Sequence, residues 1–330
     1  MDLYSLHQNK NCFSFLVENL DLLTADDVKD NFLADYICAL SQKRALQSVL
    51  NGSSTSPMKE NISEKTIWFF WLQGLENAPE VVRISYQSWV FMNPDYNVVF
   101  LDAFNIHNYF PYWDAFSISN LRLKIAHKAD FLRTFLIHYY GGIWVDATTF
   151  CFKPLSSWLP SVLENNPLFF PKQPKKCKDR LIKNWLIAGT KDNLFAKLLL
   201  DKLFAYIFRY RNSPVKMLHA HAYMPKFMSK DIDLTPNDFT RSCLDRCDEQ
   251  GFFPYYFYHY IYNDIVSESK KGSSIKKISN FISRYPDITP GNKQAALSNS
   301  VFVTKQSYRQ KHLDSNEYQA RKSQILRLIN

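Results

Sequence analysis

The chain has 330 residues, of which 46% are hydrophobic and 16% aromatic, and this composition excludes a disordered or fibrous protein. The formal net charge is +9, and an excess of Lys and Arg after residue 266 favours an anionic partner. Because the sequence contains no recognisable nucleic-acid-binding module, we expect no nucleic acid. The basic surface is either an ordinary solvated surface or a peripheral contact with an anionic membrane.

Targeting and redox features of the sequence predict a cytoplasmic protein. No apolar run reaches the roughly 18 residues of a spanning helix, and the first residues lack a basic segment followed by an apolar one. Of the cysteines, only Cys243 and Cys247 lie close together, and their spacing matches no zinc module. We therefore expect free thiols in the cytoplasm. If the basic surface is a membrane contact, the protein lies peripherally at the inner face of the plasma membrane.

The N-terminal part of the chain predicts a helical extension followed by an α/β unit. Residues 1–50 carry apolar side chains at three- and four-residue spacing, and the Ser-rich segment 51–57 predicts a linker. The apolar run Thr66–Leu72 predicts a strand that is covered on both faces. A helix over Pro79–Trp89 and a second strand over Tyr96–Leu101 follow. This order predicts a parallel sheet.

A predicted helix, Leu121–Tyr140, leads into the most informative segment of the chain. The pair Gly141-Gly142 ends this helix, because glycine adopts the left-handed conformation of a helix end at little cost. A short apolar strand follows and ends at Asp146, and ligands of open α/β sheets bind beyond such strand ends. With Ala147 and Thr148 after it, Asp146 suits a divalent cation and the diphosphate that the cation bridges. Capping of the next turn is the alternative interpretation.

Other candidate site residues precede Asp146. Asp130 and Arg133 are three residues apart on the predicted helix and therefore share a face. They form either an ordinary surface ion pair or, if they face the strand tip, part of a polar ligand site. Trp71, which closes the first strand next to Gln73, is either a core residue or a stacking surface for a base.

The C-terminal half carries weaker signals. Helices are predicted over Asn193–Tyr210 and within 308–330, and Lys270–Ser279 predicts a basic loop. The tyrosines of Gly251–Tyr262 form either a core or a carbohydrate-stacking wall. His219 and His221 are interpreted as acceptor-site or structural residues.

Several motifs together carry a resemblance to a known family. They are a strand ending in Trp71, Asn93-Pro94-Asp95-Tyr96, Ala129-Asp130-Phe131-Leu132-Arg133, Tyr140-Gly141-Gly142-Ile143-Trp144-Val145-Asp146-Ala147-Thr148 and Asn184-Trp185-Leu186-Ile187-Ala188. This set resembles the capsular polysaccharide synthesis glycosyltransferases, which belong to the Asp-x-Asp sugar transferases together with the large clostridial glucosylating toxins. The resemblance covers roughly Lys65 to Thr190 and fades toward the C-terminus.

The resemblance implies a GT-A fold, in which a Rossmann-like mixed sheet flanked by helices binds a nucleotide sugar, often UDP-linked, with Mn²⁺ or Mg²⁺. It implies that Trp71 stacks on the uracil, that Asp130 holds the ribose or donor sugar, and that Arg133 faces the sugar or diphosphate. Asp146 and Arg133 are expected to be catalytic, and Asp146 and Thr148 to hold the metal. The residues expected to bind the nucleotide sugar are Trp71, Gln73, Asp130, Arg133, Gly142, Ala147, Thr148 and Lys305.

The sequence departs from the family pattern at two positions. Thr148 stands where Asp-x-Asp has its second carboxylate, although an Asp-Ala-Thr occurs in capsular members of the family. Near the C-terminus, similar proteins have a His-Lys pair, and the best match here is Thr304-Lys305. Both departures weaken the expected metal site. Lys305 could neutralise a diphosphate directly, as a point charge.

We therefore expect an N-terminal helical extension and linker over 1–60, a GT-A catalytic core over 61–265 and a basic C-terminal region over 266–330 that completes the active site. The expected activity is transfer of a hexose or N-acetylhexosamine, with retention, to a lipid-linked or soluble oligosaccharide acceptor in bacterial surface polysaccharide synthesis. The alternatives are an effector that glycosylates host proteins and a degenerate, non-catalytic transferase domain that acts as an assembly scaffold.

Overall fold

The protein is described by a computed structural model over residues 59–60, 62–113, 116, 121–164, 167–173, 179–207, 215–218, 238–270 and 301–329. The predicted N-terminal helices and linker, the two histidines at 219 and 221, and the basic loop beyond Lys270 lie outside the described residues.

The described residues form both strands and helices. The strands are β1 (Thr66–Phe70), β2 (Asn97–Leu101), β3 (Gly142–Asp146), β4 (Thr149–Cys151), β5 (Leu168–Phe169), β6 (Leu186–Gly189), β7 (Lys216–Leu218), β8 (Phe252–Pro254) and β9 (Val303–Lys305). The helices are α1 (Glu80–Met92), α2 (Ile125–Tyr139), α3 (Leu159–Leu163), α4 (Leu194–Ile207), α5 (Arg241–Glu249), α6 (Phe257–Lys270), α7 (Gln310–Leu313) and α8 (Asn316–Ile329). Short 3-10 turns lie at Ile106–Asn108 and Leu155–Ser157.

A central mixed sheet with the strand order β2-β1-β3-β6-β5 organises the fold. β1 runs parallel to β2 and β3, whereas β6 runs antiparallel to β3 and β5. Phe70, the last residue of β1, pairs with Leu101 and with Asp146, so the carboxyl ends of β1, β2 and β3 share one edge. Because β6 is antiparallel, it begins at that same edge. The predicted α/β class, with a mixed sheet flanked by helices, is confirmed.

The predicted strand–helix–strand unit corresponds to β1, α1 and β2, and the two strands are parallel as expected. β1 ends at Phe70 rather than Leu72, because the carbonyl of Trp71 accepts the turn hydrogen bond from Gly74 N at 3.0 Å. α2 begins at Ile125 rather than Leu121, since Leu121 forms an isolated bridge with Val215. The helices predicted in the second half correspond to α4 and to the pair α7 and α8.

Two hydrophobic clusters cover the two faces of the sheet. Successive side chains of a strand point to opposite faces, so Trp68 and Phe70 pack with α2, α4 and α6 on one side. Ile67 and Phe69 pack with α1, β4, β9 and α8 on the other side. Burial on both faces explains why β1 reads as an unbroken apolar run rather than an alternating one.

The C-terminal segment is part of this architecture. β9 pairs antiparallel with β4, with Lys305 opposite Thr149, and α8 packs on α1. The predicted boundary between residues 265 and 266 falls inside α6, where both Ile265 and Val266 are buried in the core. The pairing of β9 with β4 carries Lys305 to the carboxyl edge of β3.

Within the described ranges, none of the helices combines the length and the apolar character that crossing a bilayer requires.

Candidate active site

A group of charged side chains lies at the carboxyl edge of β1 and β3. Asp146 ends β3 and pairs with Phe70, so Trp71 begins the turn directly beside it. The backbone N–H of Asp146 donates to the carbonyl of Trp185 at 2.8 Å, which places the start of β6 at the same edge. This is the edge at which open α/β sheets bind their ligands.

The carboxylate of Asp146 contacts two cationic side chains. Its Oδ2 lies 2.6 Å from Nζ of Lys305, and its Oδ1 lies 3.2 Å from Nη2 of Arg133. The indole N–H of Trp144 also donates to Oδ1, at 2.9 Å. Burial raises the pKa of Asp146, but the charges of Arg133 and Lys305 outweigh that effect and hold the pKa below its ordinary value. Asp146 is therefore a stable anion.

Arg133 is the centre of the group and is 4% exposed. Its Nε donates to the carbonyl of Ala129 at 3.0 Å, and its Nη1 donates to the carbonyl of Asn184. The guanidinium also lies over the ring of Trp144, 5.1 Å from the ring centroid. Burial lowers the pKa of Arg133, but the nearby carboxylates of Asp146 and then Asp130 reverse this and raise it. These contacts fix the position of a permanent positive charge.

Asp130 is the second carboxylate of the group and differs in character from Asp146. It is 7% exposed, its Oδ1 accepts from Nδ2 of Asn184 at 2.8 Å, and the same oxygen lies 3.5 Å from Nη2 of Arg133. Burial raises the pKa of Asp130 to about 7; the charge of Asp146 adds to this, and Arg133 and Asn184 oppose it. Asp130 therefore changes protonation in the neutral range.

The ammonium of Lys305 reaches Asp146 from the neighbouring two-stranded sheet. Its side chain is 33% exposed, more than the 23% of Asp146. Burial lowers the pKa of Lys305, and the contact with Asp146 opposes this shift. Gln306 next to it is anchored to Thr148, because Gln306 N donates to the Thr148 carbonyl at 2.7 Å and the Thr148 hydroxyl donates back at 3.1 Å.

An aromatic pair borders the charged group. Trp71 is partly exposed and lies edge-on to Tyr308, with ring centroids 5.6 Å apart, and Tyr308 is 58% exposed. The indole Nε1 of Trp71 is buried and has no hydrogen-bond partner among the described residues. Trp71 is thus not a fully buried core residue, and its ring forms a surface with Tyr308 beside the strand tip.

The remaining predicted residues are placed differently. Ala147 is buried in the turn after β3, and Gln73 is exposed in the turn after β1. Gly142 lies at the amino end of β3, four residues before Asp146, and does not join the group. Its φ is +93°, and a Cβ there would lie 2.5 Å from the carbonyl oxygen of Thr66. The structure therefore explains Gly142 by close strand packing rather than by ligand binding.

Sequence reasoning assigned no role to two residues that hold the group together. Asn184 contacts both Asp130 and Arg133 from the segment that enters β6. Trp144 contacts both Arg133 and Asp146. The sequence could have indicated Trp144, because it lies two residues before Asp146 and residues i and i+2 of a strand share a face.

The tyrosines of the segment Gly251–Tyr262 fall into a buried set and a partly buried set. Tyr258, Tyr260 and Tyr262 are buried in the core, which is the simpler of the two predicted interpretations. Tyr255 and Tyr256 are only partly buried, and burial and then the charge of Asp130 raise the pKa of Tyr255. The proximity of Asp130 places Tyr255 at the margin of the charged group.

The oxygen atoms of this group do not fit a divalent cation as they are arranged. Mg²⁺, and ions of similar preference such as Mn²⁺, need several carboxylate, carbonyl or water oxygens. Both oxygens of Asp146 already contact cations or an N–H donor, and the Thr148 hydroxyl donates to Gln306. Over the described ranges, no three His, Cys, Asp or Glu side chains form a group that could hold a metal. The expected Mn²⁺ or Mg²⁺ site stays a prediction.

Three fungal glycosyltransferases are similar to this chain. The chain is 29% identical over 161 residues to the O-glycosyltransferase braB of Annulohypoxylon truncatum, a match that covers 42% of this chain and 37% of the relative. It is 30% identical over 105 residues to the O-glycosyltransferase PaGT of Phomopsis amygdali, covering 28% and 26%, and 25% identical over 114 residues to the glycosyltransferase afumC of Aspergillus fumigatus, covering 31% and 29%. These matches thus cover at most 37% of the length of a relative.

Among solved structures, the PaToxG glycosyltransferase is similar over 51% of this chain and 70% of its own, with 22% identity and a TM-score of 0.29. A TM-score this low gives no basis for matching site residues between the two proteins. The broadest match is a family profile described as "Capsular polysaccharide synthesis protein", which covers residues 24–244. Because that span is more than half of the chain and includes β1, α2, β3 and β6, this protein belongs to the capsular polysaccharide synthesis protein family.

Proposed function

We propose that this protein is a glycosyltransferase that moves a hexose or N-acetylhexosamine from a nucleotide sugar, UDP-linked, to a saccharide acceptor. The observation that carries the proposal is the fixed pair of cations, Arg133 and Lys305, on the two oxygens of Asp146 at the carboxyl edge of the sheet. Family membership and the fungal glycosyltransferase relatives support the same activity.

The charge distribution suits the departure of a diphosphate. In the proposed reaction the bond between the anomeric carbon and the β-phosphate oxygen breaks, and its electron pair stays on the nucleoside diphosphate. The acceptor hydroxyl oxygen forms the new bond to that carbon, and its proton passes to the departing diphosphate. Negative charge therefore grows on the diphosphate, and stabilisation of developing charge is usually the largest catalytic contribution. Arg133 is preorganised for this role, because the protein already fixes its guanidinium.

The carboxylates and aromatic rings suit the other parts of a nucleotide sugar. Asp130 offers an acceptor for hydroxyl groups of the ribose or the donor sugar, and Asp146 holds the two cations that face the diphosphate. Trp71 and Tyr308 offer the aromatic surface that a uracil ring needs for stacking. Tyr255, on the side of Asp130, and Tyr256, whose ring centroid lies 5.1 Å from that of Tyr255, are the rings we assign to the saccharide acceptor.

The cellular role is a finer part of the proposal. We assign the reaction to bacterial surface polysaccharide synthesis, with retention of configuration and with a lipid-linked or soluble oligosaccharide as acceptor. The family description supports the polysaccharide, and the basic C-terminal segment supports a peripheral position at an anionic membrane.

A donor screen tests the activity. The protein is incubated with a panel of UDP-sugars, and the release of UDP is measured with and without oligosaccharide acceptors. Asp146→Asn should abolish release while the variant, although less stable than the wild type, still unfolds in one cooperative transition above the assay temperature. Asp201→Asn is the control, because Asp201 forms an ion pair with Lys197 on α4, outside the site. Normal turnover by Asp146→Asn contradicts the assignment.

Other outcomes distinguish the alternatives. If no UDP-sugar binds to the wild-type protein at all, the scaffold interpretation replaces the enzyme. If UDP is released only when a protein acceptor is present, the acceptor assignment fails and an effector activity replaces it.

A further inference from the structure

The cationic contacts of Asp146 lead to an inference about how the donor is bound. It rests on the proposed function, because it concerns the same site. We propose that the ammonium of Lys305 supplies the positive charge that a divalent cation supplies in metal-dependent sugar transfer, so that donor binding by this protein needs no metal.

The first argument is the occupancy of the carboxylate. A carboxylate has about four lone-pair sites on its two oxygens, and three contacts already engage those of Asp146. Oδ2 lies 2.6 Å from the Lys305 ammonium, and Oδ1 receives the indole N–H of Trp144 at 2.9 Å and lies 3.2 Å from Arg133. A divalent cation entering here would meet two positive side chains within a few ångströms. The Coulomb repulsion in a partly buried site is large, so the metal would have to displace Lys305.

The second argument is the set of further ligands. The Asp-x-Asp pattern is reduced to one carboxylate, because Thr148 occupies the second position. Thr148 is 5% exposed, and its hydroxyl donates to the carbonyl of Gln306, so the hydroxyl faces the backbone that follows β9 rather than an open site. In the described residues, the nearest second carboxylate of the group is Asp130, which Asn184 and Arg133 engage.

The third argument is the geometry of Lys305 itself. An ammonium has three N–H donors, and the contact with Asp146 uses one, which leaves two for phosphate oxygens. The side chain is 33% exposed and therefore reaches both the carboxylate and the open edge of the site. Its backbone is held in register by the antiparallel pairing of β9 with β4. The strand pairing thus fixes the backbone of Lys305, and the ion pair with Asp146 places its ammonium at the strand tip.

The test uses UDP as the probe and the full-length chain. Binding is measured by titration calorimetry in excess EDTA, and again after addition of Mn²⁺ or Mg²⁺. We expect the dissociation constant of the wild-type protein to change by less than about threefold between these conditions, because the lysine already neutralises the diphosphate. In Lys305→Met we expect affinity in EDTA to fall about tenfold or more, as when a charge-assisted hydrogen bond is lost.

Lys305→Met also has an expected result that would not occur if Lys305 had a purely structural role. Removal of the ammonium frees Oδ2 of Asp146, so Mn²⁺ should now restore part of the lost UDP affinity. Lys305→Arg, which keeps the charge, should remain insensitive to EDTA. Lys202→Met is the matched control: Lys202 is 20% exposed, pairs with Asp264 and Glu268, and should leave UDP affinity unchanged.

The outcomes separate this inference from the proposed function. Wild-type binding of UDP that disappears in EDTA and returns with Mn²⁺ overturns the inference but leaves the glycosyltransferase intact. Equal affinity of Lys305→Met and wild type in EDTA also overturns it. Absence of UDP and UDP-sugar binding under every condition overturns the proposed function and the inference together. If Lys305→Met does not fold, the EDTA comparison on the wild type and Lys305→Arg still decides the question.

Discussion

Asp130 and Asp146 contact the same nitrogen, Nη2 of Arg133, at 3.5 Å and 3.2 Å. Their pKa values nevertheless move in opposite directions from the ordinary value of a carboxyl group. Burial dominates at Asp130 and raises its pKa to about 7, whereas Arg133 and Lys305 together overcome the burial of Asp146 and lower its pKa. One guanidinium thus serves two carboxylates, of which only one holds its negative charge throughout the neutral range.

This difference predicts a pH-dependent stability. The pKa of Asp130 is raised in the folded protein, so its favourable contribution is fully present below the pKa of the unfolded chain, near 4, and is lost as the pH rises through about 7. Asp130→Asn cannot ionise and keeps an oxygen that accepts from Asn184. We expect the melting temperature of Asp130→Asn relative to wild type to increase as the pH is raised from about 5 to about 8.

Asp146→Asn provides the opposite comparison. The pKa of Asp146 is lowered, so its contribution is present above the unfolded pKa and is lost as the pH falls through the folded pKa. Asp146→Asn should therefore be destabilised at neutral pH and approach the wild type in acid. A melting-temperature difference for Asp130→Asn that stays constant from about pH 5 to about pH 8 contradicts the assignment at that residue.

The central position of Arg133 predicts a large cost for its removal. Arg133→Met leaves Asp130 and Asp146 without their shared cation, and loss of one partner of a buried ion pair typically costs about 3–5 kcal/mol. Urea denaturation measures this free energy. Arg83→Met is the control, because the Arg83 guanidinium, within the described residues, donates to the carbonyl of Ala78 alone, at 2.6 Å, and its removal should cost about 1 kcal/mol. Equal costs for the two variants are incompatible with the described network.

The sequence predicted the local part of the site because local rules govern it. Helical spacing places Asp130 and Arg133 on one face, and an apolar strand that follows a glycine turn places Asp146 at a strand tip. The parallel pairing of β1 with β2 follows from the order of elements. Each of these predictions rests on a few neighbouring residues or on one repeating sequence pattern.

The rest of the site depends on contacts distant in sequence. Lys305 is 159 residues from Asp146. Its three-residue strand is too short for a periodic pattern from which the pairing with β4 could be predicted. Lys305 was predicted as a site residue only because of the family resemblance. Asn184 is 54 residues from Asp130, and its role depends on β6 running antiparallel, which the sequence did not reveal. Short strands such as β5 and β7 were not predicted for the same reason.

Two glycines with positive φ predict contrasting effects of substitution by alanine. At Gly142 a Cβ would lie 2.5 Å from the backbone oxygen of Thr66, which cannot move without disturbing the pairing of β1 with β3. At Gly251, with φ +74°, a Cβ would meet nothing within 4 Å. Gly251→Ala should cost about 1–2 kcal/mol from the backbone conformation alone, and Gly142→Ala should cost clearly more in a urea titration. If Gly142→Ala is the milder of the two, strand packing is not the reason for that glycine.

The aromatic pair predicts where the base of the donor binds. Stacking of a base on an aromatic ring contributes about 1–3 kcal/mol per base in alanine substitutions, so Trp71→Ala should weaken UDP binding roughly tenfold. Tyr308→Ala should weaken it less, because Tyr308 meets Trp71 edge-on and is 58% exposed. Phe91→Ala, which removes a 54% exposed ring from α1, is the control and should have no effect.

Trp71→Phe should recover part of the affinity, since it keeps a ring face. Uridine without phosphates separates the contributions: Trp71→Ala should impair uridine and UDP alike, whereas Lys305→Met should impair UDP alone.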